Sequence, residues 1–394
     1  MNDQFYRIKR LPPYVIAEVN AMRHAARTAG EDIIDLGMGN PDQPPPQHVI
    51  DKLCEVAAKP DAHGYSQSKG IPGLRRAQAN YYARRFGVEL DPETEVVVTM
   101  GSKEGLASLA NAITAPGDVV LAPNPSYPIH TFGFIIAGAT IRSVPTTPDE
   151  DYWRALESAM HFTVPRPTVL VVSYPSNPTA ETVDLAFYER LVAWARENEV
   201  WVLSDLAYSE LYFDGNPTPS IMQVKGAKDV AVEFTSMSKT YSMAGWRMGF
   251  AVGNKAMIAA MTRVKSYLDY GAFTPIQAAA CAALNGPQDI VEQNRDLYRK
   301  RRDVMVEAFG RAGWDIPPPA ASMFAWAPLP PALAHLGSLE FSKRLLTEAK
   351  VAVAPGVGYG EKGEGFVRIA MVENEQRLRQ AARNVKRYLS QVGA

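Results

Sequence analysis

The strongest constraint on the fold is a set of short runs that are apolar almost from end to end. Thr168-Val-Leu-Val-Val-Ser173 and Val200-Trp-Val-Leu-Ser204 show no alternation of polar and apolar residues. A strand of that kind must be covered on both faces, which points to a largely parallel sheet between helices. Further candidate strands are Glu95–Met100, Asp118–Ala122, Thr140–Val144, Val230–Thr235 and Gly249–Val252. Helical patterns fall between them, such as Leu185–Asn198 with apolar residues at three- and four-residue spacing. The expectation is an α/β doubly wound domain over residues 45–285, with a mostly parallel seven-stranded sheet. The pattern then changes. A long charged helix over Gln288–Gly313 and mixed strands Met323–Ala327, Val351–Ala354 and Phe366–Met371 predict a smaller α+β domain over 286–394. Residues 1–44 are expected to form an N-terminal arm that completes this smaller domain.

Composition excludes several function classes. Lys and Arg number 41 against 42 Asp and Glu, with no long run of one sign, so nucleic-acid or anionic-membrane binding has no support. No apolar run reaches membrane-spanning length, and the first residues lack a signal-peptide core, so a cytoplasmic location is expected. Cys54 and Cys281 are expected to be small buried thiols rather than catalytic groups.

In an open parallel sheet, ligands bind beyond the carboxyl ends of the strands, and four candidate strands are followed there by chemistry-bearing residues. Ser236-Met-Ser-Lys239 follows one strand, with Arg247 eight positions after the lysine. Asp205-Leu-Ala-Tyr208 follows a second, Tyr174-Pro-Ser-Asn177-Pro-Thr a third, and Gly101-Ser102-Lys103 opens a helix after a fourth. Together these parts suit pyridoxal 5'-phosphate (PLP). The Lys239 amine can bond to its aldehyde and, once displaced, serve as base; burial beside a cation should lower its pKa for that task. Asp205 is the carboxylate that would keep the pyridine ring protonated. An opposite charge at about 4 Å is worth roughly 4 kcal/mol at an effective dielectric near 20. Tyr208 and Asn177 can both donate to the ring oxygen. Gly101, Ser102 and Lys103 at a helix N-terminus, with Ser236, Ser238 and Arg247, would cradle the phosphate. Tyr127, in Pro123-Asn-Pro-Ser-Tyr-Pro128, is a candidate plate stacked on the ring.

These segments resemble the class I/II aminotransferases among fold-type I PLP-dependent transferases, in order and spacing, over nearly the whole chain. The resemblance implies ping-pong transfer of an amino group between an L-amino acid and a 2-oxo acid. Gly64-Tyr65-Ser-Gln-Ser-Lys-Gly70 is similar to the family segment whose tyrosine reaches the phosphate of the neighbouring subunit's cofactor, which implies a homodimer with shared active sites. Leu36-Gly-Met-Gly39 resembles the segment lining the substrate side. Gly365-Phe-Val-Arg368-Ile-Ala resembles the strand whose arginine grips the α-carboxylate; an arginine within an apolar run requires a partner, expected to be a carboxylate. Arg10-Leu-Pro-Pro-Tyr-Val, Gly30-Glu-Asp-Ile-Ile-Asp, Pro219-Ser-Ile-Met-Gln-Val and Ser266-Tyr-Leu-Asp-Tyr-Gly are similar to the bacterial alanine-synthesising (glutamate–pyruvate) subgroup. That implies L-alanine and 2-oxoglutarate exchanging with pyruvate and L-glutamate. Tyr14 either lines the side-chain pocket or packs within a helix.

Alternatives stay open at this point. LL-diaminopimelate, aromatic or methionine aminotransferases share these motifs, as does a PLP-dependent lyase. No second arginine declares itself for a side-chain carboxylate. A transcriptional regulator using this domain as a sensor is not expected, because the fold's own N-terminal segment begins within the first ~30 residues. Gly356-Val-Gly358-Tyr-Gly360 reads as a tight turn, since a dinucleotide loop would need a third glycine where Glu361 stands. The six histidines, at 24, 48, 63, 130, 161 and 335, show no metal-ligand spacing, so no metal is expected.

Overall fold

The computed structural model describes residues 5–13 and 15–393. Its strands are β1 (Ile34–Asp35), β2 (Val96–Thr99), β3 (Val119–Asn124), β4 (Thr140–Pro145), β5 (Val169–Ser173), β6 (Trp201–Asp205), β7 (Ala231–Ser236) and β8 (Gly249–Gly253). The chain continues with β9 (Phe324–Pro328), β10 (Val351–Ala352), β11 (Ala354–Pro355) and β12 (Phe366–Ala370). Seven of them form one sheet in the order β2-β8-β7-β6-β5-β3-β4. Every neighbouring pair is parallel except those made by β8, which runs antiparallel to both β2 and β7.

The expectation of cover on both faces holds along the whole of β5 and along β6 after the exposed Trp201. Leu170 and Val172 of β5 point into one apolar layer with Leu156, Tyr188 and Leu191. Val169 and Val171 point into the opposite layer with Leu106, Leu109 and Met261. β2 divides in the same way, Val96 and Val98 on one side and Val97 on the other. The helix Leu185–Asn198 has the bounds its periodicity predicts. It starts where the Asp184 side chain accepts the Phe187 N–H, and stops where Glu199 turns left-handed.

A third core gathers Tyr298, Met305, Phe309 and Trp314 with Phe341, Leu345, Val367, Ile369 and Leu378. Around it β11, β12 and β9 form an antiparallel sheet. The segment expected as one strand over Val351–Ala354 is two. β10 pairs in parallel with β1, β11 pairs with β12, and Val353 between them changes partners. The N-terminal helix Val15–Thr28 lays Val19 against Leu346 and Ala352, and Ile16 against Ala354 and Tyr359.

Cys54 corrects a sequence expectation: it is exposed, and Cys281 is half-buried. The helix Gln47–Ala57 turns Val49 inward, and Cys54 falls on its outer side. Both thiols are free. Among the described residues no helix is long and apolar enough to cross a membrane, and no cluster of His, Cys, Asp and Glu could hold a metal ion.

Candidate active site

The parallel strands end along one rim, and the pocket opens there. β7 finishes at Ser236, whose hydroxyl accepts the Ser238 N–H at 3.1 Å and so caps the single helical turn Met237–Thr240. That turn presents Lys239 to the pocket, where Nζ donates to the Gly39 carbonyl at 2.5 Å. Burial, helped by the cations Arg368 and Arg247, lowers the Lys239 pKa from 10.5 to about 7.

One strand over, β6 delivers Asp205, buried at the pocket floor. His130 Nε2 donates to Asp205 Oδ2 at 2.9 Å, while Oδ1 is buried with no hydrogen-bond partner among the described residues. A buried carboxylate oxygen left in this way is costly unless a donor arrives. Tyr208, on the turn after β6, is buried against Phe324 with ring centroids 5.6 Å apart, and desolvation pushes its hydroxyl well above the ordinary phenol range.

The helix Ser102–Ile113 begins at the pocket, preceded by Gly101 at φ +83°. A Cβ on Gly101 would stand 2.1 Å from Arg247 Nη2, so the loop and the guanidinium meet only because the residue is glycine. Arg247 is held by the Ala244 carbonyl at 2.9 Å. Ser102, Lys103, Ser236, Ser238 and Arg247 all line the pocket. The Lys103 ammonium lies 5.8 Å from the centre of the Tyr127 ring, and that ring meets His130 edge-on at 6.0 Å.

Across the pocket β12 supplies Arg368. Its Nη1 donates to Asn177 Oδ1 and its Nη2 to the Gly37 carbonyl, both at 2.9 Å. Its guanidinium carbon sits 3.8 Å from the Phe324 ring centre and 4.9 Å from that of Tyr359. Within this chain its partners are neutral groups and aromatic faces, and Nε has none among the described residues. The charge is thus held in place but not neutralised.

Of the residues singled out from the sequence, Gly39, Ser102, Lys103, Tyr127, Asn177, Asp205, Tyr208, Ser236, Ser238, Lys239, Arg247 and Arg368 line one pocket. Gly101 backs it through Arg247. Tyr65 does not reach it; its ring is 88% exposed and packs on Tyr270 with centroids 4.6 Å apart. Tyr14 lies outside the described residues.

A family model described as aminotransferase class I and II matches residues 31–385. The chain belongs to this family. A putative aminotransferase, AatC, of Rhizobium meliloti (strain 1021) is 63% identical over 388 residues, which are 98% of this chain and 96% of that one. The glutamate-pyruvate aminotransferase AlaC of Escherichia coli (strain K12) is 54% identical over 383 residues, 97% of this chain and 93% of that one. Among solved structures, substrate-bound BacF from Bacillus subtilis superposes with a TM-score of 0.92 at 33% identity, covering 98% of each chain.

The aminotransferase family uses PLP, and the pocket fits it. The open Oδ1 of Asp205 seeks a donor, Lys239 offers an amine held near pH 7, and the glycine-backed rim offers a helix N-terminus and a guanidinium to an anion. The sequence reading weighed His130 only as a metal ligand and so missed its bond to Asp205. Its place three residues after the aromatic candidate Tyr127 was the signal available. Phe324 and Tyr359 were missed as well. They reach the pocket from β9 and from the 3-10 turn Gly356–Tyr359, far from the strand-end motifs.

Proposed function

We propose that this aminotransferase exchanges the amino group of L-alanine with 2-oxoglutarate, giving pyruvate and L-glutamate, in either direction. The observation that carries it is the pairing of a low-pKa amine, Lys239, with an un-neutralised guanidinium, Arg368, in one pocket. The likeness to AlaC names the substrates. When bound, PLP supplies the electron sink that makes the substrate's Cα–H bond acidic.

The chain's own groups do the rest. Arg368, aimed by Asn177 and Gly37, takes the substrate's α-carboxylate in a charge-assisted pair. Burial and the two guanidinium groups disfavour the charged form of Lys239, so Nζ is suited to take the α-proton and later return it. Asp205 Oδ1 would accept the ring N–H of PLP, and His130 fixes the carboxylate for that role. Tyr208 and the Asn177 amide nitrogen would donate to the ring oxygen of PLP; the Asn177 oxygen is already engaged by Arg368. The Gly101–Lys103 backbone with Ser236, Ser238 and Arg247 would hold the phosphate of PLP, and Tyr127 would cover its ring. Gly39 would border the substrate, a role also proposed for Tyr14, which lies outside the described residues.

The active unit we infer is a cytoplasmic homodimer in which Tyr65 serves the neighbouring site. Its exposed ring packs on that of Tyr270, and both face solvent, as does Tyr267. The division into a PLP-binding domain over 45–285, a C-terminal domain over 286–394 and an arm over 1–44 is part of the same reading.

Initial rates of 2-oxoglutarate-dependent deamination test the substrate assignment. L-Alanine should exceed LL-diaminopimelate, methionine and aromatic amino acids in kcat/KM by at least about tenfold, a margin of roughly 1.4 kcal/mol. A higher value for any of the others would move the substrate and leave the transamination intact.

A further inference from the structure

Lys265 is 1% exposed on the inner side of the helix Lys255–Leu268. A buried ammonium is costly unless it is paired on more than one side. Its Nζ donates to Glu104 Oε1 at 3.1 Å and to Asp269 Oδ2 at 2.9 Å, and each carboxylate is committed elsewhere as well. Glu104 stands in the first turn of the helix Ser102–Ile113. Its Oε2 accepts the Met100 N–H at 2.8 Å, and Ser108 Oγ donates to Oε1 at 2.6 Å. Met100 immediately precedes Gly101 and Ser102, and its carbonyl accepts from Arg247 Nη2 at 3.4 Å.

On the other side, Asp269 Oδ1 accepts the Gly271 N–H at 2.6 Å, and the Asp269 carbonyl accepts from Ser68 Oγ at 2.5 Å. Gly271, at φ +80°, presses against the 65–70 segment so closely that a Cβ there would stand 2.1 Å from the Gln67 carbonyl oxygen. One buried charge therefore joins the loop at the rim of the pocket to the segment that carries Tyr65.

We propose that Lys265 is a positioning residue for the cofactor's phosphate. Through Glu104 it fixes the backbone of Met100–Ser102, and through Asp269 it anchors that loop to the 65–71 segment. It touches neither cofactor nor substrate and lies outside the pocket. The inference rests on the reading of Gly101–Lys103 and Arg247 as the phosphate cradle. Without the ammonium, Glu104 and Asp269 repel each other across the gap it filled, and the Glu104 oxygen that orders the Met100 N–H turns away.

The test compares PLP with pyridoxal, which lacks the phosphate, by titrating cofactor-stripped full-length protein and following tryptophan fluorescence. Lys265→Met should weaken PLP by about tenfold or more and pyridoxal by no more than about twofold. Lys265→Arg keeps the charge and should recover most of the loss. Asp269→Asn should show the same bias against PLP. The double variant Glu104→Gln/Lys265→Met should bind PLP no more weakly than Lys265→Met alone, because both act along one chain of contacts. Equal losses for PLP and pyridoxal, or a lowered Tm with PLP affinity unchanged, overturn the proposal. Should Lys265→Met not fold, Glu104→Gln and Asp269→Asn, which keep side-chain volume, must still separate the two ligands. A wild type that binds both alike overturns the cradle reading itself, and this inference with it.

Discussion

Lys239 combines burial with two nearby guanidinium groups, and both disfavour its charged form. The consequence reaches stability as well as catalysis. Its pKa in the fold, about 7, lies below the 10.5 of an unperturbed lysine. Between those values the unfolded chain binds the extra proton, so the group makes cofactor-free protein more stable as pH rises through that window. Lys239→Met removes this dependence. Urea unfolding of the two apoproteins should show the variant's advantage shrinking from pH 7 to pH 9; a constant difference would contradict the burial of the amine. Arg368 gives a second expectation at the same scale. Its partners within the chain are neutral, so the substrate carboxylate is the charge that it lacks. Arg368→Ala should lower kcat/KM for L-alanine roughly 10²–10⁴-fold, the effect of about 3–5 kcal/mol for breaking a buried pair. Arg368→Lys should recover only part, because an ammonium cannot match the planar two-donor grip.

At the scale of elements, catalytic groups are carried on strand ends and single turns, and the rim depends on backbone approach. Gly101 is the clearest case: its φ is +83° and a Cβ would meet Arg247 at 2.1 Å. Gly101→Ala should therefore purify with much less PLP than wild type, measured as cofactor released by alkali per chain, at nearly unchanged far-UV circular dichroism. Full retention of PLP would place the phosphate elsewhere. The same elements explain what could be read from the sequence alone. β5 is a contiguous apolar run with Asn177 four residues past its end, β6 ends on Asp205 itself, and Lys239 stands three residues past β7, so strand and chemistry lie side by side in the chain. β1 and β10, two residues each, are too short to carry a period. Phe324 and Tyr359 read as ordinary core residues until folding brings them against Arg368. The neutral partners of that arginine were illegible for the same reason, since Gly37 and Asn177 are 331 and 191 positions away.

At the scale of the whole molecule, Tyr65 and its aromatic neighbours face outward while the pocket lies elsewhere in the same chain. With shared sites, two defective chains can complement each other. Lys239→Ala and Tyr65→Ala protein, refolded together in equal amounts, should recover about a quarter of wild-type activity, because half of the dimers then carry one intact site. No recovery above the two parents would confine each site to a single chain. The central claim is that Lys239 and PLP carry an amino group between alanine and glutamate. Its most direct test is the visible absorbance spectrum of purified holoenzyme. The band of the lysine-bound cofactor should fade when L-alanine is added and return when 2-oxoglutarate follows, and Lys239→Ala should lack it. A wild-type spectrum without that band, or a band that L-alanine and L-glutamate both leave untouched, would contradict the account.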